Sequence, residues 1–419
     1  MLLLCWALLV AILVAPAGSV SCVDERGRSV DWWFALKHPR WTSKDHSVCI
    51  DNCSGTGYVY VTSESSLGTW QIGSAPITSN QSLLGMQLSA IYARKVGSYV
   101  FYNDQLPNGS WSSTYGHSKG FFAFDQSGAF WVQHSIPKFP NAVAGGYRYL
   151  EGETWFGQHA YCMSLTNDAL NLAAGVMLYA YPQVYDWAIA GATLANVSAV
   201  IAGQRNATGT TVAVVPSVWG NLTLLGKSSA AFVDMADAVV APSLHASMFS
   251  QSWLNSGGPI GGYCPATGFS VVDGLNLTVP AGLAGRETHQ TYEDHAKWLV
   301  QNPARPSAGP GAAALGDAGG SSWWCALDNN HVASQRTRSG LAVCQQQPVI
   351  ARLLQAAITV QGTCGGTPGL ECCYFEYDSC HVGETCCRED GKPYVSETSC
   401  SLWGKKHRCS WTNNSCVVN

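Results

Sequence analysis

Short runs of aromatic and β-branched residues, separated by polar turns, recur along residues 22–300. Such runs are typical of β-strands, and the clearest of them lie at 58–61, 97–102, 120–124, 129–133 and 211–215. A segment rich in alanine and leucine, 168–178, predicts a helix, whereas 188–195 fits either element. Residues 21–364 are enough for a large core, and we expect two lobes at about 21–180 and 181–364.

The first 20 residues form a separate hydrophobic segment. Residues 2–14 are apolar and uncharged, and small residues follow at 15–19. This pattern is typical of a secretory signal peptide, and no later apolar stretch is long enough to predict a membrane span. We therefore expect the protein to be secreted or to reside in a lumen, without a membrane span.

Two other segments cannot contribute to a large core. Residues 303–320 consist almost entirely of proline, alanine, glycine and serine, which predicts a surface insertion; it is either an inert loop or a mobile rim near Lys297. A linker at 365–371 leads to a cysteine-rich module at 372–419 with eight cysteines. So short a module needs covalent or metal cross-links. Disulfides are the expected kind, zinc with His381 and His407 is the alternative, and the connectivity stays open.

Cysteines and sequons agree with an oxidising compartment. The chain has 17 cysteines, one of which, Cys5, lies in the signal segment, so an even number remains. Eight Asn-x-Ser/Thr sequons are present, including one at Asn413 and a doubtful one at Asn52, which contains Cys53. We expect glycosylation at the remaining six, which begin at Asn80, Asn108, Asn196, Asn206, Asn221 and Asn276.

The charge composition bears on any polyanionic partner. Only 12% of the residues are charged, and the formal net charge is −4. Non-specific affinity for nucleic acid comes mainly from cations that neutralise phosphates, so such a surface binds DNA poorly at neutral pH. The 11 histidines would become cationic in acid if they titrated near their usual pKa of about 6.5. A polyanionic substrate is therefore expected to be met in acid.

Two His-x-Lys triplets carry the candidate chemistry. His117 and Lys119 form the first, and His295 and Lys297 form the second. On a strand, residues i and i+2 point to the same face, so each triplet would present an imidazole beside an ammonium. An imidazole can attack phosphorus or transfer a proton, and an ammonium can neutralise phosphate oxygens. Two facing pairs predict a phosphodiesterase site that needs no metal.

The residues around the triplets carry a family resemblance. The segments concerned are 31–33 with Lys37 and Pro39, 117–125, 128–140, 157–158 with Cys162, 293–298, and 328–330 after Cys325. Together they resemble the deoxyribonuclease II family over roughly 22–364. That family is similar to the phospholipase D superfamily, in which each of two lobes gives one His-x-Lys to a shared cleft. The resemblance implies a two-lobed α/β pseudo-dimer of mixed β-sheets flanked by helices.

The resemblance also implies a reaction. It is the hydrolysis of double-stranded DNA in acid to 3′-phosphate ends, through a phosphohistidine and without a cofactor. His117 and His295 would be nucleophile and general acid, in an order that the sequence leaves open, with Lys119 and Lys297 on the phosphate oxygens. His134 would bind phosphate or orient another group.

The resemblance also implies a role for Asn330 and a set of disulfides. Asn330 would help to position phosphate, although an Asx turn explains it nearly as well. The implied bridges are Cys22–Cys162, Cys264–Cys364 and Cys325–Cys344; Cys49 and Cys53 are left over and are expected to pair. The wider superfamily has an aspartate five residues after each lysine, where this chain has Phe124 and Asn302. The group that orients each histidine is therefore open.

Three functions remain compatible with the sequence. The first is an acid endonuclease in a lysosome or another acidic lumen, or secreted. The second is a nuclease-like protein that binds DNA without cutting it, which the two intact triplets disfavour. The third is a secreted recognition protein that acts through its cysteine-rich tail. The sequence contains no metal-binding or nucleotide-binding motif, and it leaves the ligand of the tail and the oligomeric state open.

Overall fold

The computed structural model describes most of the region in which the sequence predicts the two lobes. The described residues are 20–364, except 41–50, 52, 66–67, 192, 256–257, 266, 282–284, 304–321 and 363, together with the backbone of 409–412 and 415–418. The predicted signal segment, the linker, nearly all of the insertion and most of the cysteine-rich module lie outside the described residues.

The first half of the chain forms an antiparallel sheet. A short hairpin of β1 (Cys22–Val23) and β2 (Ser29–Val30) precedes it. The strands of the sheet are β3 (Trp32–Lys37), β4 (Tyr58–Thr62), β5 (Gln71–Ile72), β6 (Ser98–Asn103), β7 (Lys119–Asp125), β8 (Gly128–His134), β9 (Gln158–Leu165) and β10 (Val184–Ala188). Their spatial order is β10-β6-β7-β8-β9-β3-β4-β5. Every neighbouring pair is antiparallel.

The second half forms a mixed sheet. Its strands are β11 (Thr210–Val215), β12 (Leu222–Lys227), β13 (Met248–Gln251), β14 (Val271–Pro280), β15 (Arg286–Gln290), β16 (Trp298–Gln301), β17 (Trp323–Leu327), β18 (Gly340–Gln346) and β19 (Ile358–Gln361). The spatial order is β11-β12-β18-β17-β16-β13-β14-β15, and β19 also pairs with β14. Only β13 and β14 run parallel among the described strands of this sheet.

Helices cover the sheets and fill the space between the lobes. They are α1 (Leu83–Tyr92), α2 (Asn167–Ala180), α3 (Ala195–Ile201), α4 (Ala241–Leu244) and α5 (Pro348–Ala357). Helix α1 packs on one face of the first sheet, and α4 packs on one face of the second. Helices α2 and α5 belong to the central core that both sheets share. Thr166 caps α2, since its side chain accepts a hydrogen bond from the amide of Ala169.

Buried aromatic side chains join the two sheets. The ring of Trp324 in the second sheet lies 4.9 Å from the ring of Phe34 and 4.7 Å from that of Tyr161, both in the first sheet. The hydroxyl of Tyr161 donates a hydrogen bond of 3.2 Å to Oε1 of Gln345. Each such buried aromatic contributes roughly 2–3 kcal/mol through removal from water. The central core therefore fixes the position of one sheet relative to the other.

The two-lobed α/β fold with helices beside large sheets is confirmed. The segments predicted as strands correspond to β4, β6, β7, β8 and β11, and the predicted helix corresponds to α2. The ambiguous segment at 188–195 contains the end of β10 and the start of α3. The chain passes from one sheet to the other between Ala188 and Thr210, slightly beyond the boundary near residue 180 that the sequence suggested.

Disulfides fasten both lobes. The described bridges are Cys22–Cys162, Cys264–Cys364 and Cys325–Cys344, the pairs that the family resemblance implied. Cys53 is disulfide-bonded, but Cys49 lies outside the described residues, so the Cys49–Cys53 bridge stays a prediction.

Two further findings concern the tail and membranes. Of the cysteine-rich module, the structure describes the backbone of one hairpin, β20 (Cys409–Thr412) with β21 (Ser415–Val418). None of the helices in the described ranges has the length and apolar character that a membrane span requires.

Candidate active site

Both His-x-Lys triplets lie where a loop enters a strand. Lys119 is the first residue of β7, and Lys297 directly precedes β16. Both histidines precede their strands, so the same-face relation of strand residues i and i+2 does not apply to either triplet. Backbone hydrogen bonds to the opposite lobe hold them instead: the amide of His117 donates to Ser339 O at 3.0 Å, and that of His295 donates to Gly157 O at 2.8 Å.

The four triplet residues share one site between the lobes. Lys119 is 2% exposed and Lys297 is 4% exposed, so both ammonium groups are enclosed by protein. Burial and then the charge of Lys119 lower the pKa of His117, and Lys297 lowers it further. Burial and then the charges of Lys297 and Lys119 lower the pKa of His295. Each histidine thus lies within the electrostatic reach of both lysines.

The imidazole of His117 is oriented by the opposite lobe. Its Nδ1 lies 2.8 Å from the backbone oxygen of Asp328, which can only accept, so Nδ1 carries the proton. The lone pair of the neutral ring then lies on Nε2. The carboxylate of Asp328 is fixed by Ser118 Oγ at 2.5 Å, Gln133 Nε2 at 3.0 Å and the amide of Leu341 at 2.9 Å. A backbone carbonyl therefore orients this histidine, where the superfamily pattern has an aspartate side chain.

The imidazole of His295 is held in the opposite way. Nε2 of Gln158, in the first lobe, lies 3.4 Å from Nδ1 of His295. Ser135 Oγ donates to Oε1 of Gln158 at 2.6 Å, which favours the amide orientation in which Nε2 points at the histidine. Nδ1 of His295 then accepts, and the proton of the neutral ring lies on Nε2. The ring stacks on Phe156 at 4.4 Å and meets the edge of Trp253 at 4.1 Å.

The two lysines differ in their partners. Lys119 Nζ donates to Oδ1 of Asp104 at 2.5 Å, and Arg338 donates to the other oxygen of that carboxylate at 3.0 Å. Although burial opposes its ionisation, the charges of Lys119 and Arg338 lower the pKa of Asp104. Lys297 Nζ donates to the backbone oxygen of His295 at 2.8 Å. Burial and then the neighbouring charge of Lys119 lower the pKa of Lys297 to about 7.

These pKa shifts correct one expectation from the sequence. Histidines that titrate near 6.5 would be mostly cationic in acid, but four near the candidate site have lowered pKa values, mainly because they are buried: His117, His134, His159 and His295. They stay neutral at a pH at which an exposed histidine is charged. The sequence could not reveal this difference because burial depends on the fold.

The pKa of Asp328 is raised instead of lowered, and this affects the stability of the fold. Burial raises its pKa from 3.8 to about 6, although its three hydrogen bonds favour the charged form. Folding therefore favours the protonated carboxyl: this contribution is fully present below about pH 4 and is lost as the pH rises through about 6. The expected loss of folding free energy over that range is on the order of 2–3 kcal/mol.

The variant Asp328→Asn should therefore lack much of this pH dependence. Urea unfolding between about pH 4 and pH 7 measures it, because the midpoint at an unchanged m-value reports stability. Asp168→Asn, at an exposed position in the first turn of α2, is the control and should keep the wild-type slope. Equal slopes for Asp328→Asn and the wild type would contradict the raised pKa.

Two other residues were predicted to contact phosphate, His134 and Asn330, and they lie in different surroundings. His134 is buried, its Nδ1 accepts from the amide of Ile136 at 3.1 Å, and the charges of Lys119 and Lys297 both act on it. Asn330 is 7% exposed and lines a small cavity with Gln251 and other residues of the second lobe. No hydrogen bond described here joins Asn330 to either triplet. Its role at the phosphate stays a prediction.

One group of side chains in the described residues could hold a metal ion. Ligand atoms of Asp234, Asp237 and His331 all lie within 4.8 Å of one another. No acidic cluster stands out in the sequence, because Asp273 and His331 lie far along the chain from Asp234 and Asp237. However, Nδ1 of His331 contacts Asp273 at 2.8 Å and Nε2 contacts Asp237 at 3.0 Å. Although burial lowers it, Asp273 and Asp234 raise the pKa of His331 well above normal, so the ring is a cation that the carboxylates already neutralise.

Comparison with known proteins gives the family. Residues 21–364 match the family model of deoxyribonuclease II. The chain belongs to the deoxyribonuclease II family. Deoxyribonuclease-2-alpha of Mus musculus is 29% identical over 371 residues, which cover 84% of this chain and 95% of that protein.

Other relatives cover similar lengths. Deoxyribonuclease-2-beta of Homo sapiens is 25% identical over 363 residues, covering 84% of this chain and 93% of its own. Plancitoxin-1 of Acanthaster planci is 25% identical over 374 residues, which cover 85% of this chain and 96% of that protein. The deoxyribonuclease II family is a hydrolase family, and its fold agrees with the two lobes that each contribute one triplet. The match ends at Cys364, so the cysteine-rich module lies beyond it.

Several residues of the candidate site escaped the sequence analysis. Asp104, Phe156, Trp253 and Arg338 surround the triplets through the contacts given above. No local pattern marks them, since each acts on a residue in the other lobe or on another strand. The family pattern included Asp328, but it did not indicate that the backbone oxygen of this residue is the part that holds His117.

The predicted glycosylation sites differ in exposure. Asn80, Asn108, Asn206 and Asn221 are exposed. Asn196 is partly buried, and its Nδ2 donates to Asn171 O at 2.9 Å. Asn276 is partly buried within β14, where it pairs with strands on both sides. Asn52 and Asn413 lie outside the described residues, and modification of every site stays a prediction.

Proposed function

We propose that this member of the deoxyribonuclease II family is an acid endodeoxyribonuclease that cleaves double-stranded DNA, with little sequence preference, without a metal or other cofactor. The observation that carries the proposal is the opposite hydrogen bonding of the two histidines. Nδ1 of His117 donates to Asp328 O, whereas Nδ1 of His295 accepts from Gln158. One ring thereby presents a lone pair at Nε2, and the other presents a proton there, as a nucleophile and a general acid require.

The first step would form a phosphohistidine. Nε2 of His117 attacks the phosphorus, and a P–N bond forms while the P–O bond to the 5′ oxygen breaks. In acid His295 takes up a second proton on Nδ1, towards which the amide of Gln158 would turn its Oε1 as acceptor, and it gives its Nε2 proton to the 5′ oxygen, which leaves as a 5′-hydroxyl. The upstream strand stays bound to His117 through its 3′-phosphoryl group.

The second step would hydrolyse the phosphohistidine and restore His117. His295 is now neutral and accepts a proton from a water molecule as that water attacks phosphorus. The P–N bond breaks, and its electron pair returns to Nε2 of His117. The products are a 3′-phosphate and the restored pair of histidines, so protons and charges balance over the cycle.

Cations supply the electrostatic stabilisation in both steps. Lys119 and Lys297 would contact the non-bridging oxygens, where negative charge develops. Both are buried, and charges act more strongly where water is excluded. His134, whose ring lies under the influence of both lysines, would act as a neutral donor to the same phosphate.

The titrations of Lys297 and His295 would both favour activity at acid pH. Lys297 has a pKa of about 7, so in the free enzyme it loses its charge as the pH rises through that value. The lowered pKa of His295 means that its protonated fraction also grows as the pH falls, and the negative phosphodiester favours the same form. Both effects lower kcat/KM on the alkaline side, and we place the optimum at roughly pH 4.5–6.

The setting of the enzyme follows from the same proposal. A signal peptide at 1–20, the disulfides and the sequons support a lysosomal or other acidic lumen, or secretion. The lobes at about 21–180 and 181–364 would carry the chemistry, because every proposed catalytic residue precedes Cys364. The linker at 365–371 and the module at 372–419 would act separately, on a ligand that this site does not define.

Plasmid cleavage in excess EDTA tests the proposed function. Relaxed and linear DNA should form at about pH 5 with a rate that EDTA does not change, and much more slowly at about pH 7.5. The new ends should carry 3′-phosphate and 5′-hydroxyl groups. Activity that EDTA abolishes and magnesium restores would refute the proposal. DNA retention without cleavage would support the alternative of a nuclease-like binding protein.

A further inference from the structure

His159 is a buried histidine of the first lobe to which neither the sequence pattern nor the proposed mechanism assigns a role. It follows Gln158 in β9 and is 1% exposed. Its backbone is held by Ser135, since the amide of His159 donates to Ser135 Oγ at 2.9 Å and its carbonyl accepts from the Ser135 amide at 3.0 Å. The side chain therefore has a fixed place beside the second triplet.

The ring of His159 has one satisfied nitrogen and one unsatisfied nitrogen. Nδ1 accepts a hydrogen bond of 3.1 Å from the amide of Lys297, across the lobe interface. The proton of the neutral ring therefore lies on Nε2. This Nε2 is buried and has no hydrogen-bond partner among the described residues. A buried donor without an acceptor is costly, and it indicates a ligand, an ion or a water at that place.

The site contains a second nitrogen of the same kind. Nδ1 of His134 accepts from the amide of Ile136, and its Nε2 is also buried without a hydrogen-bond partner. The charge of Lys297 acts on both rings, and His134 lies within the electrostatic reach of His159. Two neutral donors beside two buried ammonium groups form a set of donors without an acceptor. The chemical group that fits such a set is an oxyanion.

We propose that His159 is a further phosphate ligand of the site, and that its Nε2–H donates to a non-bridging oxygen of the phosphodiester held between Lys119 and Lys297. This role rests on the proposed function, because the oxyanion is then the phosphate of the DNA strand. Burial and then the charge of Lys297 lower the pKa of His159 to about 3, so it remains a neutral donor throughout the acid range. Its strength as a ligand does not vary with pH where the enzyme works.

Two substitutions separate the nitrogens of His159. In His159→Asn the amide can take the place of Nδ1 and keep the contact to Lys297 N, but it cannot reach the place of Nε2. In His159→Gln the longer side chain can return a donor to the place of Nε2. The measurement is the dissociation constant of inorganic phosphate at about pH 5 by calorimetry, with the full chain. His245→Asn is the control, because His245 is an exposed histidine in the second lobe.

The expected result is that His159→Asn weakens phosphate binding about tenfold or more, while His159→Gln recovers most of that loss. His245→Asn should bind as the wild type does. Wild-type affinity in His159→Asn would overturn the proposal, because the lost donor would then not touch phosphate. Equal losses in the Asn and Gln variants would also overturn it, since the effect would follow from the contact with Lys297.

A measurement on the wild-type protein avoids any variant that folds poorly. With ¹⁵N-labelled histidine, added inorganic phosphate should shift the Nε2 resonance of His159 and leave that of His245 unchanged. No shift at saturating phosphate would overturn the proposal. Because both readouts use phosphate rather than DNA cleavage, a protein that binds phosphate through His159 but does not cut DNA would refute the proposed function and leave this inference standing.

Discussion

Replacing either His117 or His295 by alanine is expected to reduce kcat for DNA cleavage by about 10⁴-fold or more. The first change removes the atom that attacks phosphorus, and the second removes the proton donor for the leaving oxygen. Neither residue can take the place of the other, since Nδ1 of His117 donates to a backbone oxygen whereas Nδ1 of His295 faces the side-chain amide of Gln158. Single-turnover cleavage at about pH 5 in EDTA measures the loss.

The double variant distinguishes a shared site from two separate ones. Groups that act as a unit lose most of their effect with the first substitution, so the double variant should be little slower than either single variant. His245→Ala serves as the control, because His245 is an exposed histidine of the second lobe that contacts Phe269. Losses that add in log rate would contradict a single site formed by both lobes.

The second large effect is expected at Lys297. Lys297→Ala should lower kcat/KM by roughly 10²–10³-fold at about pH 5, because a buried cation at the phosphate is lost. The same change removes the group whose pKa of about 7 would set the alkaline side of the profile. Residual activity of the alanine variant should therefore depend less on pH between about 6 and 8.

Lys297→Arg tests the titration directly. A guanidinium keeps its charge at all relevant pH values, so kcat/KM of this variant should fall less steeply above about pH 7, where only His295 still titrates, even if the activity at pH 5 falls. Lys119→Arg is the matched control, since it introduces the same group at the other triplet, beside Asp104. An alkaline limb as steep in Lys297→Arg as in the wild type would contradict the titration of Lys297 in this range.

The sequence revealed the parts of this site that are local. Both triplets stand out as short motifs, and the strands that follow them have clear aromatic and β-branched patterns, as in β7 and β8. The family pattern extended this to His134 and to the three described disulfides. The two-lobed fold followed from chain length, the pair of motifs and the family resemblance, and it was confirmed.

The rest of the site depends on contacts between residues that are far apart in the chain. Asp328 reaches His117 over 211 positions, and Gln158 reaches His295 over 137 positions. These contacts decide which ring nitrogen carries a proton, and no periodicity or spacing encodes them. The assumption that histidines titrate near 6.5 failed for His117 and His159 for a related reason, because burial in the folded protein lowers the pKa of both.

The most direct test of the whole account uses a substrate that needs no general acid. The p-nitrophenyl ester of thymidine 3′-phosphate has a leaving group that departs without a proton, so His117 alone can attack it. In His295→Asn the phosphohistidine should form and then persist, because no base activates water. We expect a burst of about one p-nitrophenolate per enzyme, with the thymidine 3′-phosphoryl group on His117 after an alkaline quench. His117→Asn should give no burst. A burst in His117→Asn, or a label on any residue but His117, would contradict the account.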